Sequence, residues 1–197
     1  MDFLNKEFIA NKINNSVQTK IAILKKPQLL KCIQEVSQAI IIAYRNNRKV
    51  LFMGNGGSAA DAQHLAAELS GRFYFDRPPL YAEALHVNTS YLTAVANDYS
   101  YDEVYSRLVQ AKAAKGDILI GLSTSGNSKN IINAFKIGNN IGVISIAMTG
   151  ATGGNMKDLV SLLINVPSID TPRIQESHIL IGHIICEIVE KELFSND

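Results

Sequence analysis

Val50-Leu51-Phe52-Met53-Gly54-Asn55-Gly56-Gly57-Ser58 decides how this chain is read. Four apolar residues in a row, closed by glycines, are too short for a helix and predict a strand buried on both faces. The glycines turn the chain, and a helical pattern runs on to about Gly71. The same order returns downstream. Asp117-Ile118-Leu119-Ile120-Gly121-Leu122 is a strand, and Ser123-Thr124-Ser125-Gly126-Asn127-Ser128 leads from it into a helix that reaches about Gly138. Further strands are predicted over 80–86, 142–147 and 159–166, and helices over 88–96, 101–114 and 172–193. Strands that alternate with helices imply right-handed crossovers and a mostly parallel sheet covered on both faces, an α/β fold in three α/β/α layers. Ligands in such sheets bind at the carboxyl ends of the strands. The loops at 54–58 and 123–128 both leave the sheet at that edge.

Outward from this region, residues 1–48 predict two helices. Ile9, Ile13, Val17, Ile21 and Leu24 recur at helical spacing, and a second helix opens near Pro27 and carries Leu30, Ile33, Val36, Ile40 and Ile41. The pair is more apolar than one small domain needs, so it is expected to pack on the sheet, on another subunit, or on both. With no low-complexity tract or long linker, residues 1–197 are expected to form one domain. Of the residues, 47% are hydrophobic and 19% charged, and the formal net charge is +1, which offers no broad attraction to nucleic acid or an anionic membrane. The opening Met1-Asp2-Phe3-Leu4-Asn5-Lys6-Glu7 does not read as a signal peptide, and no apolar run is long enough to span a bilayer, so a cytoplasmic protein is expected. The two cysteines, Cys32 and Cys186, lie in helical patterns among apolar neighbours and read as buried, reduced thiols. There is no Cys-x-x-Cys pair to suggest a thiolate metal site.

The Ser/Thr loop is the strongest chemical signal. Ser123, Thr124, Ser125 and Ser128 supply hydroxyls, Gly126 lets the backbone come close to a ligand, and the following helix N-terminus adds free N–H groups and partial positive charge. This suits a phosphate dianion. One helix cap needs one such residue, not four. The lysine of a nucleotide-binding P-loop is absent. The glycine loop resembles a dinucleotide turn only loosely.

After that loop, Asp61, His64, Glu68 and Arg72 recur at intervals of three or four. His64, Glu68 and Arg72 would share one helix face, drifting by about 40° per step. The spacing fits a metal pair, an acid–base pair, or a solvated face with a Glu68–Arg72 ion pair. In the last helix His183 sits among Ile179, Leu180, Ile181, Ile184 and Ile185, where a histidine is commonly a satisfied core residue. Gly182 beside it leaves space for a ligand or another chain. His178 reads as exposed. His86 falls at the binding edge without a partner that spacing can name.

Taken together, Gly54-Asn55-Gly56-Gly57-Ser58, Ala67-Glu68-Leu69-Ser70-Gly71-Arg72, Ala96-Asn97-Asp98, Ser123 to Ser128 and Arg173-Ile174-Gln175-Glu176, in that order, resemble the phosphoheptose (sedoheptulose-7-phosphate) isomerase family of the sugar isomerase (SIS) fold. The resemblance covers nearly the whole chain. It implies a flavodoxin-like sheet and an aldose–ketose isomerase acting on a sugar phosphate. It implies that Ser58, Ser123, Thr124, Ser125 and Ser128 hold the phosphate and nearby oxygens, that Asn55, Asn97 and Asp98 contact sugar hydroxyls, and that Gly56, Gly57, Arg72 and Gln175 line the substrate. His64, Glu68, Gln175 and His183 match the family's zinc positions, and Glu68 and His183 its base and acid. It also implies a homotetramer with active sites shared between subunits. Gln175 and His183 are eight residues apart, about 12 Å along one helix, so His183 from a different subunit than Glu68 is an alternative. Regulators of the same fold share the two loops but tend to lack the Glu and His, and a non-catalytic sugar-phosphate-binding protein is the competing reading.

Overall fold

The computed structural model describes residues 4–195. Five strands, β1 (Val50–Gly54), β2 (Ala82–Ala84), β3 (Ile118–Ser123), β4 (Ile144–Thr149) and β5 (Leu162–Asn165), form one parallel sheet in the order β2-β1-β3-β4-β5. This is the flavodoxin-like order. Helices α1 (Lys6–Leu24) and α2 (Pro27–Arg45) precede the sheet, and α3 (Gly57–Ser70), α4 (Thr89–Asp98), α5 (Val104–Lys112), α6 (Lys129–Ile141) and α7 (Thr171–Phe194) follow its strands.

Alternate residues of the same strand feed two separate cores. Val50 and Phe52 of β1, with Ile118, Ile120 and Leu122 of β3, pack beneath α2, α3 and α7 through Ile33, Ile40, Leu65, Leu69, Ile181 and Ile185. Leu51, Met53 and Leu119 point the other way, under Val95, Val109, Ile131 and Phe135 of α4, α5 and α6. Burial on both faces is why the strands read as unbroken apolar runs rather than as alternating ones.

Several predicted boundaries move. The strand over 80–86 shrinks to Ala82–Ala84. The chain enters it from Pro78-Pro79 with the Leu80 N–H bonded back to Leu69, and it turns away again where the Val87 N–H meets Ala84. The strand over 159–166 shrinks to Leu162–Asn165, because Leu159 closes a turn onto Met156. The strand over 142–147 starts two residues later and runs to Thr149, since Gly142 is the left-handed cap of α6 at φ 89°. The helix over 101–114 divides into a 3₁₀ turn (Tyr101–Glu103) and α5. Arg72 lies beyond Gly71, the cap of α3, so it does not continue the face of His64 and Glu68.

The register sets the ligand edge. Gly54 pairs with Leu122 across β1 and β3, so Asn55 and Ser123 leave the sheet side by side. The two polar loops are thereby neighbours, as the topology requires. Of the N-terminal pair, α2 buries Leu29, Ile33, Val36, Ile40 and Ile41, whereas α1 buries only Thr19 and Ile23. No helix of the described residues is long and apolar enough to cross a membrane.

Candidate active site

The Ser/Thr loop is held by the 150–156 loop beside it as well as by its own hydroxyls. Gly126 adopts φ +67°, and a Cβ there would stand 2.2 Å from the Gly153 carbonyl oxygen, so only glycine lets this loop lie against the 150–156 loop. The Gly150 N–H donates to Thr124, the Met156 N–H to Gly126 and the Asn155 N–H to the Asn127 side chain. Ser128 is the N-cap residue of α6, yet its side chain makes no capping bond; its hydroxyl meets that of Ser123 at 2.9 Å. Ser125 Oγ accepts from the Asn127 N–H. Hydroxyls and the first N–H groups of α6 thus gather at one carboxyl-edge turn, a concentration of donors suited to an anion.

The neighbouring glycine loop is tied to this one by a side chain that sequence reasoning passed over. Asn130, 2% exposed on the first turn of α6, pairs its amide reciprocally with Asn55: Asn55 Nδ2 donates to Asn130 Oδ1 at 3.0 Å and Asn130 Nδ2 to Asn55 Oδ1 at 2.9 Å. The Tyr101 hydroxyl donates to the same Asn55 oxygen at 3.0 Å, and that of Tyr105 to the Gly54 carbonyl. Asn55 therefore has its oxygen filled and one N–H left for a ligand. Asn97 and Asp98 close α4 just before this tyrosine, both exposed and bonded to one another at 3.0 Å. Ser58 is buried at the start of α3, and Gly57 beside it is where Gln175 lies: a Cβ on Gly57 would stand 2.6 Å from Gln175 Nε2.

Two turns farther along α3, three ionisable groups converge. His64 Nε2 lies 2.9 Å from His183 Nε2 and 3.0 Å from Glu68 Oε1. One ligand atom from each of the three falls within 4.8 Å of the others. Two imidazole nitrogens facing one another at this distance need a shared proton or a shared cation, and two imidazoles with a carboxylate are the donor set of a catalytic metal site with one position open. Three of the four expected metal residues, His64, Glu68 and His183, are thus brought together within one chain. Gln175, the fourth, packs its side chain against Gly57. The space beside Gly182 is filled by Leu65, whose Cδ atoms would lie 2.5 Å from a Cβ on that glycine; Gly182 serves helix packing here. Among the described residues no ion pair joins Arg72 to Glu68, and Arg72 is exposed.

His178 is fully buried, not exposed, and its Nε2 meets the Thr149 carbonyl at 3.1 Å. Burial pushes its imidazole down to about 4, so it is neutral at neutral pH. Cys186 is buried as expected, but Cys32 is only half-buried, with its thiol on the Leu163 carbonyl. Asp61 Oδ2 is buried without a hydrogen-bond partner.

Residues 15–150 match the SIS domain model. Over 190 residues the chain is 52% identical to phosphoheptose isomerase of Aneurinibacillus thermoaerophilus, covering 96% of each chain. It is 53% identical over 194 residues to phosphoheptose isomerase 2 of Campylobacter jejuni, covering 98% of this chain and 96% of that one. The chain belongs to the phosphoheptose isomerase family. The solved phosphoheptose isomerase of Neisseria gonorrhoeae superposes with a TM-score of 0.89 at 40% identity, covering 94% of this chain and 98% of that one.

Asn130→Ala is expected to raise KM for the sugar phosphate about tenfold, a loss of ~1.4 kcal/mol, while kcat changes less than about threefold. Steady-state kinetics checks this, and an unchanged KM would show that Asn55 does not depend on Asn130.

Proposed function

We propose that this chain is an aldose–ketose isomerase that converts sedoheptulose 7-phosphate to D-glycero-D-manno-heptose 7-phosphate, the first step toward nucleotide-activated heptose. The observation that carries it is the His64–Glu68–His183 cluster in a chain that also has a donor-rich Ser/Thr loop and is about 50% identical to phosphoheptose isomerases. A non-catalytic sugar-phosphate binder has no need of the cluster.

The reaction moves a proton between C1 and C2 through a cis-enediol and needs a base at carbon and an acid at oxygen. Glu68 is assigned as the base and His183 as the acid. Ser123, Thr124, Ser125 and Ser128, with Ser58 and the N-terminus of α6, bind the phosphate; Asn55, Gly56, Gly57, Asn97, Asp98, Arg72 and Gln175 orient the sugar. Anchoring the phosphate end fixes where the reacting carbons fall, converting loose encounter into a positioned complex. His64, Glu68 and His183 fit a zinc ion by donor chemistry, with Gln175 a candidate fourth group if its side chain leaves Gly57. Bound zinc supplies Lewis-acid stabilisation of negative charge on oxygen.

We further read residues 1–197 as one SIS domain, cytoplasmic, acting as a homotetramer. Support comes from α1, where Ile9, Ile13 and Val17, four residues apart, are 56%, 61% and 45% exposed. An exposed apolar stripe of this kind fits a contact with another copy of the chain.

Purified protein is expected to convert sedoheptulose 7-phosphate, and Glu68→Gln and His183→Gln to lose at least about 100-fold in kcat. Absence of turnover by the wild type, with and without added zinc, sinks the isomerase reading. Light scattering is expected to give four chains for the wild type and fewer for Ile13→Glu; four chains in both would remove α1 from the interface.

A further inference from the structure

Behind the cluster lies a buried ion pair that the chemistry above does not use. Arg77 Nε donates to Glu190 Oε1 at 2.9 Å, with side chains 2% and 1% exposed. Water is excluded from both, so each must be satisfied by protein. Arg77 spends the rest of its fork on backbone. Nη2 donates to the carbonyl of Glu68 at 2.9 Å, and Nη1 to those of Leu69 at 2.9 Å, Gly71 at 3.2 Å and Pro78 at 3.1 Å. These include carbonyls that the end of α3 leaves without helical partners. Glu190 in turn accepts the N–H groups of Phe73 at 3.0 Å, Tyr74 at 2.6 Å and Phe75 at 3.1 Å. Burial pushes the Glu190 carboxyl up, but those three N–H groups and Arg77 outweigh it and hold it below its ordinary range, so it is ionised.

One arm of this network ends on the backbone of Glu68, and the other leads to His183 through the Phe73 ring. Arg77 holds the carbonyl of Glu68 itself. Glu190 stands two turns beyond His183 on the same face of α7. It also fixes the backbone of Phe73, whose ring lies 5.7 Å from the His183 ring. The phosphate loop shares no hydrogen bond with the pair.

We propose that Arg77 and Glu190 are positioning residues for the isomerase: together they clamp the end of α3, the 71–77 segment and α7 so that Glu68 and His183 keep their mutual geometry. The proposal rests on the isomerase reading. It makes a distinction that an ordinary stabilising pair does not. Lysine at 77 keeps the charge facing Glu190 but is a point donor, unable to reach three or four carbonyls at once. The clamp should fail in Arg77→Lys while the charge balance survives.

The test is steady-state kinetics with sedoheptulose 7-phosphate, alongside melting temperatures, for wild type, Arg77→Lys, Glu190→Gln and Val36→Ala. The last truncates a core side chain of α2 outside the site. Arg77→Lys and Glu190→Gln are expected to lose at least about tenfold in kcat with KM within about twofold. Val36→Ala is expected to melt earlier with wild-type kcat. Wild-type kcat in Arg77→Lys, a rise in KM instead of a fall in kcat, or an equal kcat loss in Val36→Ala would each overturn the clamp. If neither clamp variant folds, amide exchange in the wild type decides: the Phe73, Tyr74 and Phe75 N–H groups must exchange as slowly as the interiors of α3 and α7, and fast exchange overturns the proposal. Failure of the wild type to turn over defeats the isomerase reading, and the exchange measurement stands apart from that outcome.

Discussion

The close approach of α3 to α7 is the constraint on which the site depends. It happens at Gly182, where the missing side chain lets Leu65 sit against the α7 backbone. Leu65 and Gly182 are each next in sequence to a member of the cluster, His64 and His183. Helix axes normally stand 8–10 Å apart according to the side chains between them, and a glycine at the contact gives the short end of that range. Two imidazole nitrogens reach 2.9 Å because the backbones behind them are allowed so near. An added methyl at residue 182 would act on the chemistry without touching substrate.

The sheet does a different job. Parallel register sets Gly54 beside Leu122, and the two loops that follow are joined by the Asn55–Asn130 amide pair. One layer of the molecule thus builds a donor-rich edge, and α3 carries the chain from that edge into the cluster. Binding and proton transfer are assigned to separate parts of one rigid frame, which is how remote binding energy can be used to orient the reacting carbons.

The order of strands and helices was legible because both cores are apolar and the loops are not. So were the donor-rich loop and the i,i+4 pair of His64 and Glu68, whose spacing is local. Long-range partners were not. His183 is 119 residues from His64, and no local pattern shows that a glycine beside it faces Leu65 rather than a ligand. Arg77 and Glu190 each look like surface charges in sequence; only the fold buries them together. Asn130 reads as one more polar residue near a helix start until Asn55 is seen opposite. The strands at 82–84 and 162–165 are shorter than the apolar runs over 80–86 and 159–166 because apolar character continues where ladder pairing stops, and nothing local to His178 shows that β4 ends against it.

The central claim is that one chain supplies the whole His64–Glu68–His183 cluster and that the cluster holds a metal. Anomalous scattering from crystals of the zinc-loaded protein tests it most directly. The expected result is one zinc peak per chain, bonded to His64 Nε2, the Glu68 carboxylate and His183 Nε2 of that same chain. A peak elsewhere, or one whose His183 comes from a neighbouring chain, would contradict it.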